Sequence, residues 1–142
     1  MPKFTEVRDF PYSAEQMYQL VADVDSYADF LPWCQAVRVY NRTDQSLYAD
    51  LVIGYKMFRE RFTSHVTFSH DRIEVEYVKG PLKYLHNHWQ FTPRAGGGSH
   101  VDFLVDFEFK NRIFEKMIGA FFTEAVSHMI EAFEKRAHCL YD

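Results

Sequence analysis

The chain has 142 residues, of which 47% are hydrophobic, 18% aromatic and 25% charged, with a formal net charge of −4. That length is one domain's worth, here residues 1–142, and the apolar fraction excludes a disordered chain. The acidic balance argues against a general nucleic-acid binder, whose affinity for DNA or RNA rests on Lys and Arg neutralising phosphates.

In chain order, Lys3 to Phe10 reads as an opening strand that Pro11 stops. Ser13 to Gln16 has the form of a capping box, in which hydroxyl and amide satisfy free backbone N–H groups. Tyr12 and Met17 stand where a hydrophobic staple would. Met17, Leu20, Val21 and Val24 follow at helical spacing, so a short amphipathic helix is expected. Asp25 to Trp33 reads as a more irregular helical turn, stopped by Pro32.

From Ala36 the apolar period changes to 2. Six strands are expected: one through Val37 and Val39, then Leu47–Tyr55, Phe62–Phe68, Ile73–Tyr77, Leu85–Phe91 and Val101–Phe109. Asn41 to Ser46, Gly80-Pro81 and Gly96 to Gly98 supply breaks. Short connections between alternating strands predict an antiparallel meander with one wet face. Arg112 to Leu140 then reads as one unbroken helix behind an Asn111 N-cap. Its apolar pairs recur every four residues, which overshoots a 3.6-residue turn by about 40° and swings the stripe around the helix. A curved sheet can cover such a stripe where a flat one cannot. The order therefore predicts an α+β, helix-grip fold with a curved antiparallel sheet wrapped around a long C-terminal helix. Incomplete closure would leave an apolar cavity.

Three segments carry a resemblance. They are Tyr27-Ala-Asp-Phe-Leu-Pro-Trp-Cys34, Gly80-Pro-Leu-Lys-Tyr-Leu-His-Asn-His-Trp-Gln-Phe91, and the stretch from Phe121-Phe122 through Ala132-Phe133-Glu134 to Arg136-Ala137. The sequence resembles the coenzyme Q-binding (ubiquinone-binding) branch of the START-like superfamily, grouped with polyketide cyclase/dehydrase and lipid-transport proteins. Leu82 stands where that branch often has Phe. The resemblance implies a carrier or chaperone for ubiquinone or a related polyprenyl lipid, supporting respiration and ubiquinone biosynthesis, and no enzyme. Ubiquinone would be bound as a ligand, with no cofactor and no metal. A similar branch comprises ribosome-association toxins that block subunit joining, so a ribosome-directed role is the alternative. An aromatase/cyclase would need an inward acid–base residue, and the alternation supplies none better than Asn87 or Tyr77.

A quinone needs an apolar channel for its tail and donors for its carbonyls. Asn87 is the strong polar group on an inward face otherwise built by Leu85, Trp89 and Phe91, so it is the first candidate donor; the alternative is a bond to a neighbouring backbone group. Ser64 and Tyr77 are weaker inward candidates. Pro32 and Trp33 follow the irregular turn at the expected cavity mouth, where Trp33 either stacks on the ligand or plugs the core. Phe62 and Phe107 join the expected aromatic wall. Phe114, Met117, Phe121, Phe122 and Met129 are expected to face the sheet at least in part.

His86 and His88 share an outer face and lack a third metal ligand. Asp102 and Asp106 show no mark of an acid–base pair. Cys34 and Cys139 exclude a disulfide scaffold and read as structural thiols of a reducing compartment. The start carries no apolar signal core and no stretch approaches a membrane span, so a cytoplasmic location is expected, with transient contact at the inner-membrane surface. The turn Lys56 to Arg59 offers a greasy tip with a basic rim for that contact. The competing and preferred reading folds Phe58 over the cavity entrance.

Overall fold

In the computed structural model, which describes residues 3–31, 33–55 and 58–142 and not the side chains of Tyr55, Phe58, Phe114 and Ile118, one sheet carries every strand. The strands are β1 (Lys3–Phe10), β2 (Cys34–Tyr40), β3 (Ser46–Tyr55), β4 (Phe58–Phe68), β5 (Arg72–Lys79), β6 (Leu82–Pro93) and β7 (Ser99–Phe109). Their spatial order is β1-β7-β6-β5-β4-β3-β2, and every pairing is antiparallel. Consecutive strands from β2 to β7 are neighbours, the meander that the alternation predicts, and β1 returns to pair with β7.

Helices α1 (Ala14–Ala22) and α2 (Tyr27–Phe30), separated by a 3-10 turn (Val24–Ser26), link β1 to β2. The capping box forms as its sequence requires. Gln16 N–H donates to Ser13 Oγ at 3.0 Å and Ser13 N–H donates to Gln16 Oε1 at 2.9 Å. Met17, Leu20 and Val21 are the buried face of α1.

Irregularities of the ladder gather at one end of the sheet. The register shifts between Cys34 and Ala36 on β2, between Thr63 and Ser64 on β4, and between Leu82 and Tyr84 on β6. Such bulges increase local twist and curl a sheet. Gly80, at φ +146°, turns the chain where an added Cβ would lie 2.6 Å from that of Phe62, so this close turn admits no side chain.

The single C-terminal helix expected from the sequence is two helices, α3 (Arg112–Ser127) and α4 (Met129–Tyr141). No Gly or Pro marks the break at His128 (φ −104°, ψ 12°). The cause is local hydrogen bonding. Ser127 Oγ donates to the Glu124 carbonyl at 2.7 Å, and His128 N–H is shared between the Glu124 and Ala125 carbonyls at 3.2 and 3.3 Å. A back-bonding Ser bends a helix in this way. The bend lets Phe122 and Val126 on α3, and Ile130, Phe133 and Ala137 on α4, all reach the concave face. The first turns of α3 stay outside: Ile113 is 69% and Met117 50% exposed.

Candidate functional site

A cavity of about 80 Å³ lies between the concave sheet and the bend of α3–α4. Val24, Tyr27, Leu31 and Trp33 close one side, strand residues such as Leu51, Val66 and Val105 form the floor, and Phe122, Val126, Met129 and Phe133 form the roof. Among the described residues, no Asp, Glu, His, Lys or Arg lines it. The volume holds several water molecules at most, whereas ligand pockets run to about 300–1,000 Å³. A lipid enters only if the roof or the Trp33 segment moves outward.

Five described lining residues, Tyr27, Trp33, Ser64, Asn87 and Trp89, carry side-chain N–H or O–H groups, and the partners of the first four differ. The Tyr27 hydroxyl donates to the Val21 carbonyl, and burial raises its pKa far above the ordinary value. Asn87 Nδ2 donates to the Leu104 carbonyl at 2.8 Å. One of its two N–H donors is therefore spent on the neighbouring strand, the backbone alternative set out above. By contrast, Ser64 Oγ and Trp33 Nε1 are buried with no hydrogen-bond partner among the described residues. Leaving such a group unpaired costs about 1–3 kcal/mol. The weaker candidate of the sequence reading thus holds the free hydroxyl, and the indole at the expected mouth holds a free donor.

The twelve expected ligand residues divide. Trp33, Phe62, Asn87, Trp89 and Phe122 line the cavity together. Phe91 and Phe107 are fully buried elsewhere in the core, Phe91 against the ring of Tyr18 and Phe107 between Phe109 and Phe122. Tyr77 is half-buried beside the cavity lining, its hydroxyl accepting the Leu82 N–H at 2.9 Å to brace the β5–β6 turn. Met117 does not face the sheet, because α3 leaves the concave surface before its first turns. Phe121 lines an open outer groove of about 810 Å³ instead. Pro32, Lys56, Met57 and the side chains of Phe58 and Phe114 lie outside what the structure describes.

Trp33 lines both this groove and the cavity, so it partitions them. Its ring meets Phe122 edge-on at 5.8 Å. Sequence reasoning missed Tyr27, Leu31 and Phe133 as lining. Phe133 was signalled by its place in the third resembling segment, and it packs on Trp89 at 4.9 Å and Tyr27 at 5.4 Å.

Burial pushes the Cys34 thiol up to about 11, which leaves it inert as a nucleophile at neutral pH. Desolvation, then Arg72, holds His88 below the ordinary imidazole value. Among the described residues, no group of three His, Cys, Asp or Glu could hold a metal ion, and no helix is long and apolar enough to cross a membrane.

A curved seven-stranded sheet gripping paired C-terminal helices around an apolar cavity defines a START-like, helix-grip protein. The chain belongs to the polyketide cyclase/dehydrase and lipid transport family, whose model matches residues 10–134. It is similar to the ribosome association toxin RatA of Rickettsia prowazekii, at 37% identity over 142 residues that cover 96% of this chain and 97% of that protein. It is also similar to the mitochondrial coenzyme Q-binding protein COQ10 homolog B of Xenopus laevis. There the identity is 33% over 144 residues, covering 98% of this chain and 59% of that longer protein. A START superfamily protein from Mycobacterium smegmatis superimposes with a TM-score of 0.77 over 97% of this chain and 98% of that one; at 18% identity it shows the fold alone.

Proposed function

We propose that this protein binds a polyprenyl quinone or a closely related lipid in the cavity under the α3–α4 bend and carries it without transforming it. The observation that supports this reading is that two residues of a mostly apolar lining, Ser64 and Trp33, carry buried polar atoms, Oγ and Nε1, that have no partner among the described residues. A quinone offers two carbonyl acceptors and no donor, so a hydroxyl and an indole N–H match it. Apolar walls replace water around the tail at about 25 cal/mol per Å². Among the described residues the lining holds no carboxylate, imidazole or ammonium group, which favours sequestration over acid–base catalysis.

Native mass spectrometry with organic extraction tests the proposal on protein made in a ubiquinone-producing host. A stoichiometric quinone is expected. Ser64→Ala and Trp33→Phe should each weaken uptake by roughly 2- to 10-fold, the worth of one hydrogen bond. A protein that arrives without lipid and takes up no added quinone overturns the reading. The second reading is a ribosome-directed interaction protein, favoured by the higher identity to the RatA relative. Co-sedimentation with a ribosomal subunit in the absence of any bound lipid would establish it.

A further inference from the structure

Seven described cations crowd one end of the sheet. Arg59 and Arg61 lie at the start of β4, Lys79 and Lys83 flank the β5–β6 turn, and Lys110, Arg112 and Lys116 follow the end of β7. The pairings place them together: Leu82 opposes Phe109, Thr63 opposes Lys79, and Lys110 N–H donates to the Pro81 carbonyl at 3.0 Å. All seven are exposed, and none has a carboxylate within ion-pair distance among the described residues. Among the described residues, the carboxylates on these strand ends and the first turns of α3 are Glu60, Glu108 and Glu115. Lys83, Lys110, Arg112 and Lys116 line one groove of about 620 Å³ with Glu108 and Glu115. A chain of net charge −4 thus concentrates positive charge at one end.

The same end carries exposed apolar side chains. Ile113 is 69%, Met117 50% and Val78 49% exposed. Ile113 and Met117 are one helical turn apart on α3, and each directly follows a cation, Arg112 and Lys116, so the apolar pair has a cationic border. A phosphate backbone would use the cations and leave the apolar groups wet. A bilayer rich in anionic headgroups would use both.

We propose that this end, with the first turns of α3 at its centre, is a docking surface for an anionic phospholipid bilayer. The proposal concerns the outer surface and does not rest on which ligand the cavity takes. It sets the molecule down with α3 against the headgroups, next to the Phe122 and Val126 part of the cavity roof.

Co-sedimentation of the full chain with vesicles tests it, comparing phosphatidylcholine alone with phosphatidylcholine plus phosphatidylglycerol. Binding to the anionic vesicles only, weakening as salt is raised, is expected. Combined reversal of Lys110→Glu, Arg112→Glu and Lys116→Glu should cost roughly 100-fold or more in affinity. Paired Ile113→Ser and Met117→Ser should cost roughly tenfold or more. These are exposed positions, so unchanged melting temperatures confirm folding. Absent vesicle binding, equal binding to neutral vesicles, or loss through the cations with no effect of the two Ser changes overturns the proposal. The last outcome, joined to binding of ribosomal subunits, would identify a nucleic-acid surface. Ala49→Leu, or Val105→Leu should the first fail to fold, separates the two proposals: filling the cavity should abolish quinone uptake and leave vesicle binding intact.

Discussion

The two ends of the helix pair are held very differently. Where α4 meets β1 and α1, polar groups close on one another. Arg8 reaches Glu134 at 3.2 Å, the Tyr12 hydroxyl donates to Asp142 at 2.8 Å and meets His138, and the Tyr141 hydroxyl donates to the Gln16 carbonyl at 3.0 Å. Phe133 and Ala137 are fully buried beneath. At the opposite end, α3 begins with exposed Ile113 and Met117 and with cations that pair with nothing described. Few buried contacts mean a low cost of local opening. One end is tied into the fold, and the other is exposed and loosely held. Bend, cavity and Trp33 lie between the two.

Several substitutions would break or sharpen this contrast. The largest effect belongs to the anchored end. Phe133→Ala removes a ring that packs edge-on against Tyr27, Phe30 and Trp89, and should cost about 3–5 kcal/mol in urea unfolding. Ser13→Ala loses the capping box of α1, with an expected cost of about 1 kcal/mol. Ser64→Ala should act in the other direction. It deletes an unpaired buried hydroxyl, so the ligand-free protein should gain about 1 kcal/mol while quinone uptake falls. A protein stabilised in this way and still binding quinone at full strength would remove Ser64 from the site. Ile113→Ser or Met117→Ser should change stability by no more than about 0.5 kcal/mol. A cost comparable to that of Phe133→Ala would erase the contrast.

The smallest effect is a pH dependence at the anchored end. Hydrogen bonds from Tyr12, then from His138, hold the Asp142 carboxyl below its ordinary value of 3.8. A depressed folded-state value adds stability that is complete above 3.8 and lost as pH falls through the lower folded value. Thermal melts in that acid range should therefore fall less steeply for Asp142→Asn than for the native chain. Desolvation and the same carboxylate push the Tyr12 phenol up to about 12, so it stays a donor throughout.

Much of the fold was legible because it follows from local periods. Alternation from Val37 to Phe109 placed the strands and their inward faces, and Ser13 with Gln16 marked the start of α1. The cavity was legible in part. Trp33, Phe62, Asn87, Trp89 and Phe122 were found because inward alternation or a recognised segment pointed to them. Phe91 and Phe107 share that alternation but sit where other core residues cover them, a distinction that no period contains.

The amino-acid order by itself determined which residues alternate, where the chain turns, and which family pattern it carries, since each depends on neighbours a few positions apart. Only the tertiary structure decided who partners whom. It gave the Asn87 amide to the Leu104 carbonyl across a strand boundary and left Ser64 Oγ and Trp33 Nε1 unpaired. It bent the C-terminal helix at His128, turned Met117 to the surface, and gathered cations from β4, β5, β6 and α3 at one end. These outcomes depend on register, curvature and the packing of distant segments, and no short window of sequence encodes any of the three.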